Sequence, residues 1–379
     1  MKRLMRLAVI LMVMLGILPG TTLARQVEEL PLSEEGMYTT GLQLLTFVDE
    51  VREDREVQIA IFYPAVEPED TSARDTAELL GAPFSGFRDA EPDMAEAPYP
   101  LILFSPDFGV GELDWVNPLR HLASHGFVVA SIDHACSSNP TCLIDRPLDI
   151  VFVLNKLATL GDSSLVGVID AEHTGVLGQG IGGYTALAAG GARIDPVYFQ
   201  EWVDNRDTTR PVSPDYFSEL YGWNLVTGWN EIASYRAHFD AQTEGEPWLP
   251  IMDSRVRAIM PLTPSFGMLY GERGLETVTV PTMIMAITAH LAISYEDEVV
   301  PVYSILAMEQ GSMITLVDYA WAQLGHIKWP HPQEEAYYKH FSTAFFGYYL
   351  QGQENYSDYL TQNFVESYDD LIWGVRDDE

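Results

Sequence analysis

The stretch TGVLGQGIGGYTALAAG, residues 174 to 190, decides how the rest of the chain is read. An apolar run, Gly175 to Leu177, stops at a cluster of glycines and gives way to small and apolar residues. That order predicts a strand, a sharp turn and a helix packed closely on a sheet. It is the frame of a nucleophile elbow, in which a Gly-x-Ser-x-Gly motif lifts a serine hydroxyl above the sheet. Here the five residues are Gly178, Gln179, Gly180, Ile181 and Gly182, and Gly180 stands at the expected nucleophile position. Glycine is inert there, so the frame is present without its nucleophile. An elbow serine sits in a strained backbone at a cost on the order of 1–3 kcal/mol, whereas glycine accepts that geometry cheaply. Restoring the hydroxyl alone, Gly180→Ser, is therefore not expected to stabilise the protein.

Working outward, 379 residues that are 47% hydrophobic and 20% charged are enough for a full core. A single large α/β domain over residues 25–379 is the reading that fits. Residues 1–24 carry Lys2, Arg3 and Arg6, then an apolar stretch from Leu7 to Leu18, then Thr22-Leu23-Ala24. The apolar part is short for a membrane span, and the pattern is that of a cleaved secretory signal. A secreted or periplasmic protein without integral membrane association is expected.

Removing that segment takes three of the 21 basic residues and no acidic one, leaving 18 against 55, a formal charge of −37. Nucleic acid and anionic membrane surfaces are poor partners for such a chain. The two cysteines, Cys136 and Cys142 in CSSNPTC, are expected to form a local disulfide in an exported protein. No cofactor is expected.

The elements flanking the glycine-rich turn follow a rhythm. Leu42–Phe47 and Val57–Tyr63, around a charged turn, predict an early hairpin. Strands are expected at Leu101–Phe104, Phe127–Ile132, Gly175–Leu177, Val256–Leu262, Val280–Ile287 and Met313–Val317. Helices are expected over 115–124, from Arg146 to Leu160 with Pro147 in the first turn, from Ile181, and over 334–350. Residues 26–40 read as an extended lead-in, 66–98 as mostly surface loop, and 351–379 as peripheral and acidic. Strands separated by helices predict a mostly parallel central sheet covered on both faces. Ligands in such folds bind beyond the carboxyl ends of the strands, where Ser105–Gly111, Asp133, His134 and Gly180 converge. Residues 195–250 break the rhythm with many aromatics, and their composition fits either a cap over an apolar cleft or an inserted helical pair with its own small core.

With these segments in place, the chain resembles the α/β-hydrolase family that contains bacterial predicted dienelactone hydrolases and platelet-activating-factor acetylhydrolase-like esterases. The likeness spans about residues 38–362 and rests on PYPLILFS (98–105), HLASHGFVVASIDH (121–134), DRPLDIVFVLNKL (145–157), GVLGQGIGGYTALA (175–188), SRVRAIMPLTPSFG (254–267), VTVPTMIM (278–285) and LGHIKWP (324–330). It implies an α/β-hydrolase fold with an inserted cap-like segment, and hydrolysis of esters by a Ser-Asp-His arrangement. Its machinery is altered here. Gln179 replaces the elbow histidine and Gly180 the serine. Ser105-Pro106-Asp107 stands where the family has Ser-His-Gly, in a region that helps to build the oxyanion hole; an inward Asp107 opposes a developing negative charge. His290 falls at the expected acid position, with Glu296, Asp297 or Glu298 as substitutes from farther along. His326 matches the catalytic histidine and is the retained triad position. Arg146 and Asp149 are expected to form a buried ion pair or a helix cap.

Three functional readings result. The first is an exported non-catalytic homologue whose cleft is vestigial or takes a small apolar or ester-like ligand. The second is an ester hydrolase that uses Ser105, Ser265 or water activated by His326. The third is a metal site drawn from His290, His326, Asp107, Asp133 and His134.

Overall fold

A computed structural model describes residues 30–69, 78–79, 82–83, 86–135, 139–161, 163–222, 224–290, 292–306, 311–319 and 332–376. The segment read as a secretory signal, Cys136 and His326 lie outside these residues.

Strand-forming sequence in the centre of the chain is apolar almost without interruption, as sheets buried on both faces require. The first strands are β1 (Thr39–Asp49), β2 (Arg55–Ala65), a two-residue pair β3 (Glu78–Leu79) and β4 (Ala82–Pro83), β5 (Phe87–Arg88), β6 (Tyr99–Ser105) and β7 (Val128–Asp133). They are followed by β8 (Ile169–Gln179), β9 (Val256–Leu262), β10 (Thr282–Ile287), β11 (Gly311–Leu316) and β12 (Leu371–Trp373). Ten of them form one sheet in the order β12-β11-β10-β9-β8-β6-β7-β2-β1-β5. The run from β11 to β7 is parallel throughout, and antiparallel partners flank it: β12 on one side, the β2–β1 hairpin on the other. The protein is thus a mixed α/β protein with a mostly parallel sheet.

Successive residues of β6 serve opposite faces. Leu101 and Leu103 pack with helices α2 (Cys142–Ala158) and α3 (Ile181–Ala189), while Ile102 and Phe104 pack with α1 (Val116–Ser124) and α9 (Pro332–Gln351). All nine residues of α3 are buried, the mark of a helix enclosed on every side.

Four expectations change in detail. Helix α2 starts at Cys142, before the expected Arg146, so Pro147 lies inside it. Proline has no N–H to give the carbonyl four residues back, and the Tyr184 hydroxyl on α3 donates to that Leu143 carbonyl at 2.7 Å instead. Residues 195–250 form three helices, α4 (Pro196–Asn205), α5 (Ser213–Tyr221) and α6 (Leu225–Arg236), rather than a pair. Their aromatics join the main core rather than making a separate one: Phe199 lies 4.4 Å from Trp229, and Trp229 stacks on Trp248 at 5.2 Å. The C-terminal stretch is not peripheral, because Phe364, Val365, Tyr368 and Leu371 are buried and β12 closes a sheet edge. Nor is the lead-in merely extended. Short helices α7 (Gly271–Leu275), α8 (Val300–Leu306) and α10 (Gln362–Val365) complete the described set.

The lead-in is held by two buried histidines. His121 Nε2 donates to the Leu32 carbonyl at 2.9 Å, and His340 Nδ1 accepts the Leu32 N–H at 3.2 Å. Acceptance through Nδ1 requires a neutral imidazole on His340. Burial holds both rings neutral, lowering His121 to about 2 and His340 to about 3.

Two outcomes are expected. Tyr184→Phe removes the hydroxyl that donates to the Leu143 carbonyl and costs about 1–3 kcal/mol, read as a lower urea midpoint. Stability also falls with acid. His121, His340 and His134, the last lowered by burial to about 3, have folded pKa values below the unfolded value near 6.5, so the unfolded chain binds more protons. Their contribution is complete above pH 6.5 and is lost progressively below it, each by up to about 1.4 kcal/mol per pH unit. Glu298, raised by burial to about 7, acts in the opposite sense between pH 7 and its ordinary 4.5. His125 and His290 are lowered in the same sense as the three histidines above, and Asp107, Glu112 and Asp145 are raised like Glu298. Five histidines stand against four carboxyls, and urea midpoints at pH 7.5, 6.5, 5.5 and 5 are expected to decline, so that a midpoint that holds steady or rises would contradict the histidine assignment.

Candidate functional site

Chain order reverses beside β6. The chain leaves β6 for β7 on one side and returns as β8 on the other, so a topological switch point lies between β6 and β8, where open α/β sheets bind ligands. The loop after β6 and the turn after β8 meet there.

Glycines set how closely they meet. A Cβ on Gly178 would run into the Gly182 carbonyl, and one on Gly182 would run into the Ser105 carbonyl. The strand, the turn and the first turn of α3 are therefore pressed against β6 with no room for side chains. Gly180, at the apex, has φ 58° and ψ −116°, a backbone region that L-residues occupy only under strain. Its N–H donates to the Leu262 carbonyl at 3.0 Å, and its carbonyl accepts from Ser265 N at 3.0 Å.

Asp107 fills the space over this apex. A Cβ at residue 180 would overlap the Asp107 carboxylate, meeting Oδ1, Cγ and Oδ2. Oδ1 accepts two backbone N–H bonds, from Phe108 at 2.8 Å and from Ile181 at 3.1 Å. Ile181 is the first residue of α3, so the positive end of that helix faces the carboxylate. The residue keeps some surface, yet its carboxyl is enclosed, and burial raises its pKa against the pull of the two N–H donors and of Arg146.

Behind Asp107 lies a line of buried polar groups. Ser105 Oγ is 2.9 Å from His134 Nε2, and His134 Nδ1 is 2.9 Å from Asp149 Oδ2. Burial first, then the charge of Arg146, keep His134 neutral. For Asp149, burial pushes upward, but the bonds from His134 and Arg55 prevail and hold it at about 2. The carboxylate thus fixes the proton on Nδ1, and Nε2 accepts from the serine. Arg55 adds bonds to Asp149 at 3.0 and 2.9 Å, and Arg52 Nη2 lies 2.6 Å away. Arg146 does not play the expected part with Asp149; it donates to the Pro106 carbonyl and, at 3.3 Å, to Ser105 Oγ. It thereby ties α2 to the loop that carries Asp107.

The other sequence-selected residues divide. Gln179 is buried and its Oε1 has no partner among the described residues; Ser265, fully buried, leaves its Oγ equally unpartnered. Asp133 is half-buried and accepts the Ala135 N–H at 2.9 Å, capping its own loop. His290 accepts the Ala292 and Ile293 N–H groups on Nδ1 at 3.1 and 2.9 Å, and burial lowers it to about 4. It acts as a turn cap at the expected acid position. Glu298, one of its possible substitutes, instead accepts from Ser213, Phe266 and Ser294 backbone N–H groups at 2.8, 3.0 and 3.1 Å, tying α5 to the segment after β9. Among the described residues no group of three or more His, Cys, Asp or Glu is placed to hold a metal ion, and no helix is long and apolar enough to cross a membrane.

The sequence reading missed the Ser105–His134–Asp149 line, since it set Asp149 aside as structural. A signal existed: β6 and β7 are parallel neighbours with Phe104 opposite Ser131, so residues just past their ends face the same space. Comparison of the sequence with protein-family models gives no match, and none of the curated proteins matches it.

The contact between Gly180 and Asp107 predicts coupling. Gly180→Ala is expected to lower stability by about 1–3 kcal/mol, and Gly180→Ser likewise does not stabilise. In an Asp107→Gly background the penalty of Gly180→Ala shrinks by about 0.5–3 kcal/mol, measured as a double-mutant cycle in urea. Strictly additive costs would show that the carboxylate does not occupy the missing side chain's space.

Proposed function

We propose that this protein is an exported, non-catalytic relative of the α/β-hydrolase esterases, whose cleft binds a ligand without hydrolysing it. One observation carries this reading: the Asp107 carboxylate takes up both the volume that a residue-180 side chain would need and the Phe108 and Ile181 N–H groups. Ester hydrolysis at this position needs a nucleophile on the elbow and N–H donors aimed at the developing oxyanion. Gly180 supplies no nucleophile, and both donors are already taken by the Asp107 carboxyl group. The change at Gly180 and the change at Asp107 are then one event seen from two strands. The Cys136–Cys142 disulfide belongs to the same proposal of an exported chain; Cys142 is buried at the start of α2.

A second reading is favoured by the spacing of Ser105, His134 and Asp149, which matches the hydrogen-bonded order of a hydrolytic triad. It makes Ser105 the nucleophile of an ester hydrolase. Against it, Ser105 is fully buried, and its hydroxyl faces Arg146.

Hydrolysis of a short-chain p-nitrophenyl ester, by the protein and by His326→Ala, separates the two together with labelling by a fluorophosphonate. The proposal expects background turnover in both proteins and no labelled serine. Turnover lost in His326→Ala would overturn it, and label mapped to Ser105 would establish the second reading.

A further inference from the structure

We propose that a cavity at the amino ends of β6 and β8 binds a protonated organic amine, held by the Glu96 and Asp170 carboxylates and by the rings of Tyr38, Tyr99 and Tyr356. The site lies at the opposite end of the parallel strands from Gly180 and is independent of what the cleft there does.

Strands β6, β7 and β8 run parallel, so Tyr99 at the start of β6 and Asp170 at the start of β8 share the end of the sheet remote from the switch point. Between them, the lead-in and the turn from α1 to β7 lies a cavity of about 600 Å³, a size that takes a small organic molecule. Its walls are tied without a ligand. The Tyr38 N–H donates to the Ser124 carbonyl at 3.1 Å and the Tyr99 N–H to the Val168 carbonyl at 2.8 Å. Gln351 Nε2, at the end of α9, donates to the His125 and Gly126 carbonyls at 3.0 Å each. A ligand entering a site fixed in this way loses little to ordering the protein.

The polar groups facing the cavity are acceptors. Glu96 and Asp170 line it, and none of the lining residues is lysine or arginine. Glu96 Oε2 accepts from a neutral group, the Tyr38 hydroxyl, at 3.0 Å, and a carboxylate has lone pairs for further donors. Asp170 Oδ2 lies 2.7 Å from His173 Nδ1. Tyr99 is only 3% exposed. Its hydroxyl lies beside the Tyr38 hydroxyl and the Glu96 backbone, yet among the described residues nothing meets it in hydrogen-bonding geometry. A buried hydroxyl left in that state is costly, and an ammonium, with three donors and no acceptor, supplies what it and the carboxylates lack. A metal ion is the poorer fit, because among the described residues no group of three or more His, Cys, Asp or Glu is placed to hold one.

Aromatic walls select an organic cation. The Tyr38 and Tyr99 rings stand 5.6 Å apart at 78°, two walls nearly at a right angle, and Tyr356 adds a third ring to the lining. Tyrosine ring faces attract a cation placed within about 6 Å, and they cover the apolar part of an amine while its N–H groups reach the carboxylates. A neutral molecule of the same shape keeps the ring contact and forfeits the charge. The formal charge of −34 over the whole chain draws cations toward the surface as well, so the test must separate this cavity from the general field.

Benzylammonium chloride serves as the probe at pH 7.5, with benzyl alcohol as its neutral counterpart and sodium chloride at equal ionic strength as the blank. In wild-type protein the Tyr38, Gly126 and Asp170 amide resonances are expected to shift saturably with benzylammonium and not with sodium chloride, and benzyl alcohol is expected to bind at least ~10-fold more weakly. Glu96→Gln, at an exposed position, is expected to weaken benzylammonium about 3- to 10-fold. Asp170→Asn is the second variant should that one fold poorly. Glu231→Gln, on α6 and outside the cavity lining, is expected to leave the affinity unchanged. Equal binding of benzyl alcohol would overturn the cationic ligand class. Absence of a saturable shift, or shifts spread over the acidic surface with Glu231→Gln as damaging as Glu96→Gln, would overturn the site.

Discussion

Backbone pressed on backbone at the β6–β8 switch point is the constraint on which the centre of this protein depends. Gly178 lies against the Gly182 carbonyl and Gly182 against the Ser105 carbonyl, closer than any Cβ allows. These contacts draw the turn after β8 down onto the loop after β6. They also deny the region any side-chain packing of its own, so its polar groups must be satisfied by what the neighbouring loops supply. Arg146, reaching from α2 to the Pro106 carbonyl and Ser105, is one such supplier, and the Asp107 carboxylate is another. A larger residue at 178 or 182 would separate the two loops and, with them, the two N–H groups that meet on Asp107.

Charge explains why the buried polar line behind the site is tolerable. Asp149 has no exposure, and an isolated carboxylate there would be very costly. Arg52, Arg55 and His134 all approach it, and the neutral histidine passes one further bond to Ser105. The result is a hydrogen-bonded line that surrounds the buried Asp149 carboxylate with partners. Hydrogen-bond distances alone do not make a nucleophile; the hydroxyl must also be reachable, and Ser105 is sealed between Gly182, Arg146 and His134.

Much of the sheet was legible because strands buried on both faces are written as short apolar runs, and the glycines at 178, 180 and 182 announce a turn whose cause is steric. The hairpin of β1 and β2, the strand at 256–262 and the small-residue helix after Gly180 follow from period and composition. What escaped reading has a common origin in contacts between segments distant in sequence. The early start of α2 depends on Tyr184, which compensates for Pro147 from another helix. The lead-in is fixed at Leu32 by His121 and His340, 89 and 308 residues farther along the chain. Residues 351–379 look acidic and peripheral in sequence, yet Phe364, Val365, Tyr368 and Leu371 fill the end of the sheet. At the site, sequence identified Asp107 and Gly180 as separate anomalies, and only their contact makes them one.

That contact also accounts for how the turn after β8 is satisfied without a side chain at its apex. An empty elbow alone would leave a cavity and two unsatisfied N–H groups at the end of a helix, each a cost to the fold. A carboxylate from the adjoining loop removes both costs at once. The two positions are therefore coupled. A side chain placed at position 180 meets Asp107, and a vacated position 107 exposes the N–H pair. Each single change gives a less stable protein, so Asp107 and Gly180 constrain one another through stability, independently of any chemistry at the turn.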